Sequence, residues 1–334
     1  PRARRSFRRH MRLSDEHFLQ KSFPHYFAAI SAALDEIVHR MEIDALLVFA
    51  PKLSEVGARI EIPKILDFAD SDSLTIRRRI DNRGQSMNLV GRGRTTLQLV
   101  RQTGRERGLI RNYDLTTTIS TDDRRALLRS ARVSGDKVVI LQNGVSEAAL
   151  AAWNEAGCHE RSLVFWGNMD FPPNWTAARY FFEEVFLPYL ADQNIVWNIV
   201  GRGDAALRAA LAHQNVKFHG YLPDLFAFAS SPNVMINPMV EGSGLKTEVL
   251  EAFAIGLPVV STSLGIEAVA GGKVGEHYFV ADTPAEFSAK ILELLEDDKL
   301  RRKMVRNGRL LVEDRYTWGK IGLEYCRLVE RVID

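Results

Sequence analysis

Cysteine is scarce in this sequence: Cys158 and Cys326 are the only two in 334 residues. Two such distant thiols build neither a disulfide framework nor a metal-ligand cluster, and they suit a reducing cytoplasm. Long apolar runs are missing as well, and none approaches the roughly 18 residues that a bilayer-spanning helix requires. Nor does either charge dominate. With 44 Lys and Arg against 42 Asp and Glu, bulk charge selects no partner. The eight histidines are scattered, and no His/Cys/Asp grouping at metal-ligand spacing stands in the sequence, so no obligatory metal is expected. His219, beside Gly220 at a predicted strand end, reads as structural or solvated.

What the chain does contain is alternation. Its length favours two domains. In the second half, short β-branched or aromatic runs at 163–167, 195–201, 216–220, 234–238, 257–262 and 277–281 are separated by helix-like segments near 174–190, 204–214, 223–231, 245–255 and 284–296. Strand and helix in turn imply a parallel sheet covered on both faces, with ligands at the carboxyl ends of its strands. The first half holds four buried-strand patterns, at 45–50, 63–69, 115–120 and 137–142, with helices over 26–41 and about 88–112. Such a domain resembles the later part of an α/β unit lacking its opening strands. Because the sequence starts on Pro1, we expect a natural start further upstream and a catalytic dependence on the absent piece. The expected division is 1–149, 150–315 and a last helix, 316–334, that returns toward the first domain, its apolar stripe formed by Ile321, Leu323, Cys326, Leu328, Val329 and Val332.

Charge is uneven within this frame. Arginines crowd residues 2–12 and again residues 77–111. They suit an anionic acceptor or an anionic membrane surface, or simply a solvated helix face. Nucleic acid is excluded as a partner by the lack of aromatic interleaving or a recognition module.

The most informative stretch is EGSGLKTEVLEAFAIGLPVVST, residues 241–262. Glycines let backbone amides approach a ligand, a helix start leaves amides unpaired, and a lysine adds a full charge; together they favour a pyrophosphate. Glu251 lies five residues beyond Lys246, roughly 7–8 Å along a helix, where two carboxylate oxygens match the two hydroxyls of a ribose. The same letters also fit a flexible helix start followed by a solvated glutamate.

This stretch resembles the donor-site signature of the family-4, group-1 glycosyltransferases. NGV (143–145), FWGNMDFPPNWTAARYF (165–181), NIVGRGD (198–204), VKFHGYLPDL (216–225), GEHYFVADTPAEFSAKILELLEDD (275–298) and YTW (316–318) follow in the family's order. The nearest likeness is to bacterial polysaccharide-associated sugar transferases. The resemblance implies a GT-B fold, two Rossmann-like domains facing a cleft. It implies retaining transfer of a sugar from a nucleotide-diphosphate donor to a glycan or lipid-linked acceptor; the expected location is the cytoplasm, with the arginine zones admitting peripheral contact at the inner membrane. Glu241 and Lys246 then carry catalysis. Gly167, Asn168, Arg202, Tyr221, Leu222, Gly242, Ser243, Gly244, Leu245 and Glu251 bind the donor, Glu251 through the ribose and Tyr221 and Leu222 near the base.

Three departures stand out. The family's paired glutamates are about eight positions apart, whereas Glu241 and Glu251 are ten apart, so Ser243 holds the first glutamate's place. Glu248 stands where relatives are often basic. The segment after Gly167 lacks their arginine and lysine; Arg202 is one substitute, and Asn168 and Asn174 are polar donors, Asn174 equally a helix cap. Asp70-Ser71-Asp72 spells a DxD, which reads here as a capped turn. A sugar-nucleotide epimerase or a non-catalytic sugar-nucleotide-binding module on the same fold are the alternative functions.

Overall fold

The computed structural model describes residues 18–49, 53–83, 88–154, 161–203, 205–229 and 234–334. The first arginine zone and Cys158 lie outside them. The chain forms two compact units, one reaching to Gln142 and including Gly322–Asp334, the other Asn143–Ile321. The divisions fall at Gln142/Asn143 and Ile321/Gly322 rather than at 149/150 and 315/316. Hydrogen bonds explain the shift: the Val145 amide donates to the Tyr316 carbonyl at 2.7 Å, and the Arg309 guanidinium donates to the Leu150 carbonyl.

The first unit has four parallel strands in sequence order: β1 (Leu46–Phe49), β2 (Lys64–Asp67), β3 (Leu115–Thr118) and β4 (Val138–Ile140). Around them lie the helices Pro24–Arg40, Asp72–Arg83, Leu89–Arg111 and Thr121–Ala131. Ile65, Leu66, Leu109, Ile110, Leu127 and Val138 are buried between sheet and helices. Asp70-Ser71-Asp72 turns β2 into its helix, with the Ser71 hydroxyl accepting the Leu74 amide. Of the last helix, Trp318–Ile333, Ile321 and Leu328 are buried while Leu323 and Cys326 are exposed. A helical face repeats at three, four and seven residues, so Leu323 falls off the face that Ile321 and Leu328 share. Tyr325, next to Cys326, donates its hydroxyl to Asp67 at 2.8 Å.

Beneath the turn after β2 lies Glu106, fully buried, accepting the Ser73 amide and the Ser71 and Ser73 hydroxyls. Burial pushes its carboxyl up to about 7, and the serine hydrogen bonds only partly offset this. A carboxyl raised on folding gives its full stability below the unfolded value, near 4.5, and loses it as pH rises through 7. Glu106→Gln removes the titration. Its unfolding free energy in urea, relative to the parent's, should therefore rise between pH 5 and pH 8, by about 3 kcal/mol at most; an offset that is the same at both pH values would contradict this.

The second unit has six parallel strands: β5 (Ser162–Trp166), β6 (Val196–Val200), β7 (Val216–Gly220), β8 (Val234–Asn237), β9 (Val259–Ser261) and β10 (Phe279–Val280). Their order across the sheet is β10-β9-β8-β5-β6-β7. From β5 the chain steps outward to β6 and β7, then returns to lay β8 on the other side of β5. This is the doubly wound dinucleotide-binding order, and the reversal between β5 and β8 is its switch point. β5 and β8 are buried along their whole length, as strands covered on both faces must be.

Against this sheet packs a helix that starts at Pro172, not at residue 174, and continues from Tyr180 with wider, π-type winding over Phe181–Leu190. Proline's fixed φ and missing amide suit a first turn. Asn174 therefore lies inside that turn and is not its cap. Phe181 meets Trp197 edge-on at 4.9 Å and Phe287 at 5.7 Å, fixing the helix over β6.

Candidate functional site

Every residue singled out for donor binding lies in the second unit, on the loops that follow β5, β6, β7 and β8 or, for Glu251, on the helix Thr247–Ile255 that begins after the last of them. Their shared location is a consequence of the parallel sheet: all six strands end on one edge, and each following helix begins there.

Gly167 follows β5 and Gly201 follows β6. The Gly167 amide donates to the Val200 carbonyl, and the Gly201 amide to the Gly220 carbonyl at 2.7 Å. The backbones meet so closely that a Cβ on Gly201 would stand 1.8 Å from the Gly167 carbonyl oxygen. Asn168 accepts the Asp170 amide with its side chain and the Asn174 side-chain amide with its carbonyl. Asn174 thus braces the loop after β5.

The glycine loop follows β8. Gly242 and Gly244 take φ of +110° and +77°, a region open to glycine and costly for other residues. Ser243 and Leu245 are buried, and Glu241 is half-buried. The helix proper is Thr247–Ile255, so Lys246 is the residue before the first turn rather than within it. Its side chain makes no capping bond; it donates to the Ser243 carbonyl, and its ammonium stands 3.6 Å from where a Gly242 Cβ would be.

Two carboxyls rise from the same helix. Glu251 accepts the indole Nε1–H of Trp166, the last residue of β5, at 3.1 Å. This bond crosses the switch point and fixes the Glu251 rotamer. Burial pushes its carboxyl up to about 7; the Trp166 hydrogen bond opposes the shift and the Glu248 carboxyl adds to it. Glu248, in the first turn, lies beside the Gly167 loop, 3.6 Å from the position of a Gly167 Cβ. Burial raises its carboxyl too, against bonding to its own backbone amide and the charge of Lys246. A carboxylate folded onto an N-terminal helix amide takes the place an anionic ligand would take. Replacing Glu248 with Gln should therefore tighten nucleoside-diphosphate binding about tenfold at pH 8, measured by calorimetry; unchanged or weaker binding would contradict this.

Arg202 and Tyr221 form a second group. Both are exposed, with the guanidinium 5.9 Å from the ring centroid, within cation–π range. Leu222 is half-buried beside them. His219 bonds Asn198 of β6 at 2.8 Å, and burial lowers its pKa, as expected of a structural imidazole. The Trp166–Glu251 bond and the place of Glu248 are absent from the sequence reading. An indole and a carboxylate 85 residues apart meet only once β5 and β8 are neighbours.

Residues 160–297 match the protein family described as Glycosyl transferases group 1. This segment is a group 1 glycosyltransferase domain. The chain is 26% identical over 208 residues to a phosphatidyl-myo-inositol mannosyltransferase of Mycobacterium leprae, covering 59% of this chain and 54% of that protein. It is 24% identical over 174 residues to an uncharacterized 44.6 kDa protein of the cps region of Klebsiella pneumoniae, covering 49% and 44%. The chain spans about half the length of the curated relatives it matches. Among solved structures, a glycosyltransferase from Rickettsia africae superposes with a TM-score of 0.69 at 10% identity over 94% of this chain and 83% of that one. Anabaena HepE in complex with UDP and glucose does so with 0.65 at 14% identity, over 94% and 83%. The fold is α/β with two parallel sheets, of the GT-B kind. Among the described residues, no three His, Cys, Asp or Glu side chains are grouped to hold a metal ion, and no helix is long and apolar enough to cross a membrane.

Proposed function

We propose that the protein transfers a sugar, with retention of configuration, from a nucleoside-diphosphate donor to a glycan or lipid-linked acceptor at the cytoplasmic face of a membrane. The observation that carries this is the position of the Lys246–Glu251 helix mouth, which opens beside the β5/β8 reversal of a doubly wound sheet with a carboxyl anchored one turn inside. UDP and glucose bound by HepE support a nucleotide-sugar donor, and the name of the mycobacterial relative supports a lipid acceptor.

In this reading the diphosphate meets the amides of the glycine loop, Gly242 to Leu245, and of the first helical turn. Glu251 accepts the ribose hydroxyls, Tyr221 and Leu222 flank the base, and Glu241 reaches the donor sugar. Gly167, Asn168 and Arg202 line the remaining side. The bond from the anomeric carbon to the phosphate oxygen breaks and a bond to the acceptor oxygen forms on the same face. The acceptor's proton leaves with the released diphosphate or to solvent. Negative charge grows on the departing phosphate, where Lys246 and the helix amides stabilise it. These groups supply the cationic assistance, so we assign no obligatory metal, and transfer is expected to persist in EDTA.

Titration with UDP-, GDP- and dTDP-sugars, followed by analysis of the products, tests the assignment. A transferase releases nucleoside diphosphate in an acceptor-dependent way. An epimerase alters the free sugar nucleotide, and a binding module changes nothing. The last reading draws on one observation, that buried Ser243 stands in the place of the family's first glutamate.

Glu251→Ala should weaken donor binding about 10- to 100-fold, the net worth of about one hydrogen bond to a charged acceptor, while leaving the melting temperature at pH 8 no lower. Ribose hydroxyls prefer the ionised carboxylate. The parent's affinity should therefore fall as pH drops below about 7, by up to about tenfold per unit, and the variant's should not. A variant that binds every donor as tightly as the parent would remove Glu251 from the site.

A further inference from the structure

A cleft of about 400 Å³ lies in the first unit, over the amino ends of three of its strands. Lys64 opens β2, Asp114 precedes β3 and Lys137 precedes β4. The helix Leu89–Arg111 delivers Arg111 to the wall, and Asn112 follows it. Glu61, ahead of β2, lines the same space. In a parallel sheet the amino ends form the edge opposite to the one where helices start.

The floor of the cleft is fixed. The Lys64 amide donates to the Asp114 carboxylate at 2.9 Å, and the Asp114 amide donates back to the Lys64 carbonyl at 3.0 Å. Tyr113, 1% exposed, donates its hydroxyl to the Ser54 carbonyl at 2.8 Å. The Lys64 ammonium donates to the carbonyls of Ala58 and Ile60. Arg331 of the last helix donates to the Asp136 carbonyl at 3.0 Å, beside the short turn Gly135–Lys137.

Other groups in the wall are not engaged. Among the described residues, the Arg111 guanidinium, the Glu61 carboxylate and the Asn112 side-chain amide have no hydrogen-bond or ion-pair partner. The Lys137 ammonium has one, the Arg111 carbonyl at the long distance of 3.4 Å. Arg111 and Glu61 carry opposite charges in one cleft and do not pair, so both are available to a ligand.

Two cations match a dianion, and the guanidinium fork suits phosphate oxygens. A carboxylate and an amide match hydroxyls. The volume is that of a small-ligand site. Tyr113 is buried, so the wall offers a nucleotide base no aromatic face. We propose that this cleft binds a monosaccharide phosphate, with its phosphate on Arg111 and Lys137 and its ring hydroxyls on Glu61 and Asn112. Doubly wound sheets bind their reacting ligands at the carboxyl ends of the strands; the occupant of this opposite edge is a ligand additional to donor and acceptor.

Calorimetric titration of the whole chain tests the proposal, with glucose 6-phosphate, glucose 1-phosphate, inorganic phosphate and glucose as probes. At least one sugar phosphate should bind with a Kd of about 1 mM or tighter. Inorganic phosphate should bind about tenfold more weakly, and glucose not measurably. The double variant Arg111→Gln, Lys137→Gln should weaken sugar-phosphate binding about 30-fold or more. Glu61→Gln should split the probes: sugar-phosphate affinity falls several-fold as hydroxyl bonds weaken, whereas inorganic phosphate affinity rises as a like charge is removed. A purely structural role for Glu61 would not move the two in opposite directions. All variants should melt with the parent, since Arg111 and Glu61 are exposed and Lys137 loses only a long bond. Glu251→Ala should bind the sugar phosphate as the parent does. No binding of either sugar phosphate, equal affinity for sugar phosphate and inorganic phosphate, or full binding by the double variant would overturn the proposal. So would a loss of binding in Glu251→Ala, which would move the ligand to the donor site. Failure of the cleft to bind leaves the donor assignment unaffected.

Discussion

Replacing Lys246 with alanine is expected to lower turnover at saturating donor about 10²- to 10³-fold. Lys246 stands immediately before the first helical residue, and its ammonium lies over the Gly242–Ser243 backbone. Charge on the departing diphosphate grows at this place. A cation already held there acts more strongly in the transition state than in the ground state, so turnover suffers more than donor affinity. The stability cost should be small, because the side chain is half-exposed. A Lys246→Ala enzyme that keeps more than a third of the parent's turnover would remove this residue from the chemistry. A change confined to KM would make it a binding group only.

The largest structural effect is expected from Gly201→Ala. The new methyl would overlap the Gly167 carbonyl oxygen at 1.8 Å, and φ of +133° is itself unsuited to a side chain. The neighbour is backbone, already engaged through its own amide with Val200, so it cannot rotate aside. The loop after β5 must move or the unit must lose stability, by about 3–5 kcal/mol. For a unit of this size that is a fall of about 10 °C or more in melting temperature, with donor affinity lost in parallel. A melting point within 2 °C of the parent's and unchanged donor affinity would show that the two loops do not cross as described.

How much of this was legible in the sequence differs between the units. In the second, each apolar run became a strand, because runs such as LVFW are buried on both faces and their neighbours alternate cleanly with helices. In the first, the four strands were equally plain, but the helices Asp72–Arg83 and Thr121–Ala131 were not. DSLTIRRRIDNR and TDDRRALLRSA carry few apolar residues, so periodicity is weak. Their signal lay in the caps: Ser71 and Ser120 each accept an amide three residues on. The glycine loop and Lys246–Glu251 spacing were readable because a helix start is local. Strand order was not, and with it went the contact of Trp166 with Glu251 across the reversal. The same holds for Glu106, which reads as one more charge in an arginine-rich helix and is in fact buried under the turn after β2.

The central claim is that a nucleoside diphosphate is held at the start of the helix Thr247–Ile255. A crystal structure of the protein with whichever of UDP, GDP and dTDP gives the largest thermal shift tests it most directly. The account predicts phosphate oxygens within hydrogen-bond distance of amides between Gly244 and Glu248, the Lys246 ammonium moved from the Ser243 carbonyl onto them, and Glu251 on the ribose hydroxyls. A diphosphate bound elsewhere, with Lys246 still on Ser243 and Glu248 still over the helix start, would contradict it.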